Sequence, residues 1–137
     1  MSSKPRKGRC AGLPIGSVIV RDGEIVSRGR NRQQQTSSNL LHAENDALEA
    51  MGWHERSFYR ECVLYTTLSP CCMCAGALVF YEIPRIVIGD VTTFPGEVEW
   101  VRSRGVVADI EESQECIDLL QRFIREKADV WKKAAGE

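Results

Sequence analysis

The stretch CVLYTTLSPCCMCAGALVFYEIPRIVI, residues 62–88, decides the fold. It opens on a short apolar run, Cys62 to Thr66, breaks at Ser69-Pro70 where a helix start is well placed, and closes on a second run, Ile83 to Ile88. Between the runs, Met73, Ala77 and Phe80 recur at helical spacing and mark an apolar face. Strand, helix and strand in that order predict a crossover unit with parallel strands and a right-handed connection.

Working outward, Ile15 to Val20 and Glu24 to Arg30 are β-rich runs on either side of Arg21-Asp22-Gly23, and Asp-Gly is a strong hairpin turn. Gln33 to Asn39 reads as polar turn. Leu41, Ala47, Leu48 and Met51 then follow helical spacing until Gly52, which starts a helix near His42. Downstream come a short helix over Glu97 to Arg104, a strand over Val106 to Ile110, an amphipathic helix from Ser113 to about Lys127 and a final short helix carrying Trp131. Five strands interleaved with helices predict a three-layer α/β/α sandwich around a mixed five-stranded sheet, antiparallel at the hairpin and parallel beyond it.

A chain of 137 residues, 43% hydrophobic and 27% charged, is the size of one domain, here residues 1–137. The basic start, Met1 to Ala11, lacks apolar periodicity and reads as a solvated tail or as the remnant of a longer element. A formal net charge of -1 gives no general attraction for phosphate backbones, which disfavours nucleic acid as a partner. No apolar run approaches the roughly 20 residues of a membrane helix, and no secretion signal follows Met1, so a soluble, cytoplasmic protein with reduced thiols is expected.

Two short patterns carry chemistry. Cys71 and Cys74 form a Cys-x-x-Cys at a helix start, which puts both sulfurs on one face where the positive helix end favours thiolate. Alone, this spacing fits a metal site, a redox pair or two buried thiols. The upstream His42-Ala43-Glu44 turns it toward a metal, since a dithiol oxidoreductase has no use for it. Two thiolates and an imidazole suit zinc, one ion per chain.

Structural zinc sites have four protein ligands and catalytic ones three. His54 lies twelve residues beyond His42, about 18 Å away along a continuous helix, and cannot readily be the fourth. Helical geometry turns Cys72 away, while Cys10, Cys62 and Cys116 have no spacing relation to the site and read as ordinary thiols. A distant cysteine closing the site is the structural alternative. An open position would let zinc lower the pKa of a water from about 15.7 to near 7. Glu44, beside the metal without binding it, then becomes the proton carrier, where otherwise it would be a first-turn acid favoured by the helix dipole.

His-x-Glu followed by Pro-Cys-x-x-Cys is the pattern of zinc-dependent nucleobase deaminases. Around it, Leu13-Pro14-Ile15-Gly16, Arg28-Gly29-Arg30-Asn31, Leu64 to Cys71, Ile83-Pro84-Arg85 and the ending from Trp131 to Glu137 resemble the fungal-type cytosine deaminases, within the cytidine and deoxycytidylate deaminase superfamily. The likeness runs from about Gly12 to the end. It implies a cytidine-deaminase-like fold, a homodimer, and hydrolysis of free cytosine to uracil and ammonia in pyrimidine salvage. It further implies that Asn31 bonds the pyrimidine and that the backbone at Ala43, Ser69 and Cys71 meets the base or the developing oxyanion. Phe94 and Trp131 would wall the ring and Ile15 would touch it. Without the likeness, Asn31 reads as a turn residue and Phe94 and Trp131 as core.

Two departures qualify it. The family's cytosine-reading acid, three places after the tryptophan, is Ala134 here, with Asp129 and Glu137 the nearby acids that could substitute. The family's N-terminal helix has only Arg6 to Gly12 in its place, so part of the core would be exposed, be covered by a partner, or belong with sequence further upstream. Deamination of another amino-heterocycle, such as guanine or a triazine, and of tRNA adenosine therefore stay open, as does a zinc-binding interaction module without catalysis.

Overall fold

The computed structural model describes residues 12–135; the basic-tail reading of residues 1–11, Cys10 and Glu137 fall outside the described residues. Strands β1 (Gly16–Arg21) and β2 (Glu24–Arg30) form the hairpin. Asp22 at φ 53° and Gly23 at φ 78° give its two-residue turn the paired positive φ that matches strand twist. A bulge follows at Ile19/Val20. Beyond lie β3 (Cys62–Thr66), β4 (Arg85–Ile88) and β5 (Val107–Ile110). The sheet order is β2-β1-β3-β4-β5, antiparallel across the first three strands and parallel across the last three. The mixed five-stranded α/β architecture expected from the sequence is present.

Register explains the core. Ile19, Leu64, Ile86 and Ala108 are mutual partners across four strands and form one apolar row, all buried. Side chains alternate along a strand, so the neighbouring row, Val18, Tyr65, Val87 and Asp109, belongs to the other face. On the core face lie helices α2 (Ala43–Met51), α4 (Cys72–Tyr81) and α5 (Val98–Ser103), which bury Ala47, Ala75, Leu78, Val98 and Val101 with that row. The amphipathic helix α6 (Gln114–Glu126), capped by the Ser113 hydroxyl accepting from the Cys116 amide, and α7 (Ala128–Ala135) gather in a second cluster of Leu13, Leu68, Leu120 and Trp131.

Three expectations are corrected. The face Met73, Ala77 and Phe80 does not point to the core: α4 buries Cys74, Ala75 and Leu78, and Phe80 is 63% exposed. The helix is apolar on every side, so periodicity could not orient it. The polar turn at 33–39 includes a short helix, α1 (Gln33–Thr36), and a further one, α3 (Arg56–Tyr59), fills the stretch before β3. Leu41 precedes its helix, where Ala43, Glu44 and Ala47 are the buried residues.

Gly29 sets the distance between hairpin and α2. A Cβ there would lie 2.4 Å from Ala43 O and Ala47 N, so only glycine allows the helix so close. The Ser27 hydroxyl donates to Ala47 O at 2.7 Å, and the Arg30 amide to Asp46 Oδ2 at 3.0 Å. We expect Gly29→Ala to lower unfolding stability by about 1–3 kcal/mol through overpacking. An unchanged denaturation midpoint would show that α2 can move away at no cost.

Candidate active site

Two helices begin at one place. His42 is the N-cap of α2 and Cys71 that of α4, both in extended backbone, and neither uses its side chain to cap. The fully buried Pro70, with its fixed φ, leads into Cys71, whose carbonyl takes the Ala75 amide to start the helix. The two side chains face each other: Cys71 Sγ is 3.3 Å and Cys74 Sγ 3.6 Å from His42 Nδ1.

These three donor atoms lie within 4.8 Å of one another, the one such group among the described residues. Tetrahedral zinc, with bonds of about 2.1 Å to nitrogen and 2.3 Å to sulfur, separates the two by about 3.6 Å. The donor set and spacing therefore fit zinc, and His42, Cys71 and Cys74 are positioned to hold it. Local charge agrees. A hydrogen bond from Cys74, aided by His42, draws the Cys71 thiol down to about 4; the same bond, with burial, pushes Cys74 up. One proton is thus shared by two sulfurs at two positive helix ends, a place a dication would take. His42 is raised, chiefly by its bond to Cys71, against the opposing effect of burial.

Glu44, in the first turn of α2, is 5% exposed and stands outside the donor group. Burial pushes its carboxyl up to about 7, close to the pH at which it would exchange protons. The other candidate ligands are engaged elsewhere. The His54 ring stacks on Phe58 at 3.9 Å and contacts Met51 O; Cys62 Sγ reaches Phe58 O; Cys72 is exposed; Cys116 packs at Gly89.

The donors open into a cavity of about 160 Å³. His42, Ala43, Glu44 and Cys71 form one end; Ile15, Phe94 and Trp131 supply apolar walls; Asn31 and Ser69 are also on the lining, and Cys74 lies behind it. The residues singled out in the sequence are thus brought together around one space. Asn31 is 3% exposed. Ser69 is committed: its amide donates to Asp90 O at 2.9 Å and its hydroxyl to Pro95 O at 2.7 Å, so its carbonyl is what it has left for a ligand. Ala134 stands on the cavity wall, and Asp129 lines an adjoining outer groove that shares Leu13, Gln33 and Ala134 with it.

Leu13, Gln33, Leu68 and Ala135 also line the cavity and were not singled out. Leu13 and Leu68 were within quoted motifs, but Gln33 carried no signal beyond its place next to Asn31. Asp90, fully buried, accepts the Thr92 and Thr93 amides on Oδ1 and so shapes the loop presenting Phe94. Gly96, at φ 61°, lies where a Cβ would overlap Ser69 Oγ and Pro70 O, which locks that loop against the β3–α4 turn.

Residues 2–90 match the model of the cytidine and deoxycytidylate deaminase zinc-binding region. The chain is 41% identical to the cytosine deaminase of Candida albicans over 127 residues, 92% of this chain and 85% of the other. It is 39% identical to a tRNA-specific adenosine deaminase of Streptococcus pyogenes over 80 residues, 58% of this chain and only 50% of the other. The fold resembles the guanine deaminase of Nitrosomonas europaea with a TM-score of 0.69 at 22% identity, covering 85% of this chain and 75% of that one.

Cys74→Ser should drive the zinc-to-protein ratio from one toward zero, and Cys72→Ser should leave it at one, by elemental analysis of dialysed protein. A ratio that stays at one in Cys74→Ser would remove Cys74 from the donor set.

Proposed function

This chain belongs to the cytidine and deoxycytidylate deaminase family, and we propose that it is a zinc-dependent aminohydrolase converting free cytosine and water to uracil and ammonia. The observation that carries the reading is the buried carboxylate of Glu44 beside a three-donor zinc position at the end of an aromatic-walled cavity. Three protein donors leave one position for the reaction.

In this reading the ring lies between Phe94 and Trp131, against Ile15, Leu13 and Leu68, with its amino-bearing carbon toward His42, Cys71 and Cys74. Zinc supplies Lewis acidity, which brings a water to near-neutral pKa. Glu44 accepts the proton of the attacking water, passes it to the adjacent ring nitrogen, and delivers the second water proton to the leaving amine, so that ammonia departs and the carbon becomes a carbonyl. Burial of Glu44 keeps those protons from bulk solvent. The backbone amides of Ala43 and Cys71, at the starts of α2 and α4, stabilise negative charge developing at the reacting carbon's oxygen. The Ser69 carbonyl accepts from the amine, and Asn31 bonds the far edge of the ring.

Cytosine rests on the resemblance in sequence to a protein of that name over most of both chains. One observation favours a second reading, another free amino-heterocycle such as guanine: Ala134 puts a methyl group on the wall where the family has an acid, and matched polar contacts carry the large discrimination ratios. A tRNA substrate has less support, since the net charge of -1 offers no electrostatic grip and the matched tRNA-specific relative is covered over half its length.

We also propose a homodimer. The outward side of α4 carries Met73, Ala77 and the 63%-exposed Phe80, and a helix apolar all round is characteristic of a buried one. A cytoplasmic setting agrees with a site that needs reduced thiols, and the reaction would serve pyrimidine salvage. No described helix is long and apolar enough to cross a membrane.

Ammonia release should be greatest with cytosine in a panel of cytosine, guanine, adenine, cytidine, adenosine and tRNA. A response to guanine alone would transfer the assignment to the second reading, and one to tRNA alone would sink both. Glu44→Gln should keep its zinc and lose roughly 10²–10⁴-fold in kcat; full activity would remove Glu44 from the proton path. Phe80→Glu should turn a dimer into a monomer in sedimentation, and an unchanged sedimentation coefficient would place the interface elsewhere.

A further inference from the structure

Asn31, buried on the cavity wall, does not choose its own orientation. The Gln33 backbone amide donates to Asn31 Oδ1 at 3.1 Å. A backbone N–H can only donate, so the atom facing it must be the amide oxygen, and Asn31 Nδ2 is fixed on the other side. That nitrogen donates to Gln33 Oε1 at 3.2 Å, which in turn fixes Gln33, whose Nε2 donates to Asn39 O at 3.3 Å. Three bonds, begun at a main-chain amide and ended at a main-chain carbonyl, leave neither side chain free to flip.

We propose that Gln33 is a positioning and specificity-determining residue: it locks the Asn31 amide before a ligand arrives and so gives one wall of the cavity a fixed N–H donor, Asn31 Nδ2. Asn31 Nδ2 has two hydrogens and spends one in the relay, so it keeps one. Gln33 and Asn31 both line the cavity, beside Ala134, which adds no acceptor. The wall therefore matches an acceptor-bearing edge, the oxo-substituted side of an amino-heterocycle, and disfavours a ring lacking that oxygen, whose entry would leave the buried Asn31 donor unpaired. A locked amide also loses little freedom on binding. The ligand preference rests on reading the cavity as the substrate site; the relay itself does not.

The test has two arms. In the zinc-loaded, ligand-free protein, the Asn31 side-chain NH₂ should give two well-separated, slowly exchanging proton signals by NMR. Gln33→Leu should narrow their separation toward that of a free asparagine amide and speed exchange with water; signals that keep their shifts and exchange would overturn the relay. In the kinetic arm, Gln33→Leu should raise KM for cytosine about tenfold, the equivalent of one hydrogen bond, with kcat changed far less. The kcat/KM preference for cytosine over 4-aminopyrimidine, its analogue without the ring oxygen, should fall by a similar factor. The double variant with Asn31→Ala should be no worse than Asn31→Ala alone, because the two residues act as one unit. Additive losses, or an unchanged preference, would overturn the specificity role. If the wild type does not deaminate cytosine, the proposed substrate fails, and the amide signals decide the relay by themselves.

Discussion

Two helix N-termini meeting at one point are the constraint from which the rest follows. Each brings partial positive charge and unpaired amides, and such ends do not share a site without negative charge between them. Cys71 and Cys74 supply it as thiolate, with His42 completing the bridge from the N-cap of the other helix. Everything nearby serves to bring those ends together. Gly29 lets α2 lie against the hairpin, and the buried Pro70 leads straight into the N-cap of α4. Glu44 needs no separate device, being two residues past His42 in the same first turn.

What the sequence made legible, and what it hid, divides along physical lines. The hairpin was readable because Asp22-Gly23 demands one turn geometry, and the crossover unit because a breaker, Ser69-Pro70, sits between two short apolar runs. The metal donors were readable because zinc accepts few residue types at few spacings. The facing of α4 was hidden, since an apolar helix has no polar side to betray its orientation, and what fixes it is Cys74 reaching inward. α1 and α3, four residues each, are too short for periodicity to register and are held by the tertiary contacts around them. Gln33 and Asp90 escaped because their work is done on the backbone and on other polar groups, which leaves no pattern of residue types.

Read as a deaminase site, in the sense proposed above, the cavity separates two kinds of demand. At the metal end, burial, thiolate charge and the carboxyl of Glu44 concern bond making and breaking, and they depend little on what lies behind the reacting carbon. At the other end, Asn31, Gln33 and Ala134 are concerned with which ring is held. On that reading, Ala134 in place of an acid bears on the second demand and leaves the metal donors untouched.

That separation is built into the packing. Trp131 and Ala134 ride on α7, whose apolar contacts go to Leu13, Leu68 and Leu120 in a cluster apart from the core beneath α2 and α4. Substitutions in this last helix are therefore absorbed by a satellite core, at little cost to the sheet. On the proposed reading, the terminal helix is a replaceable part: the wall it gives the cavity can be rebuilt by mutation while the metal donors, which sit on other helices, keep their scaffold.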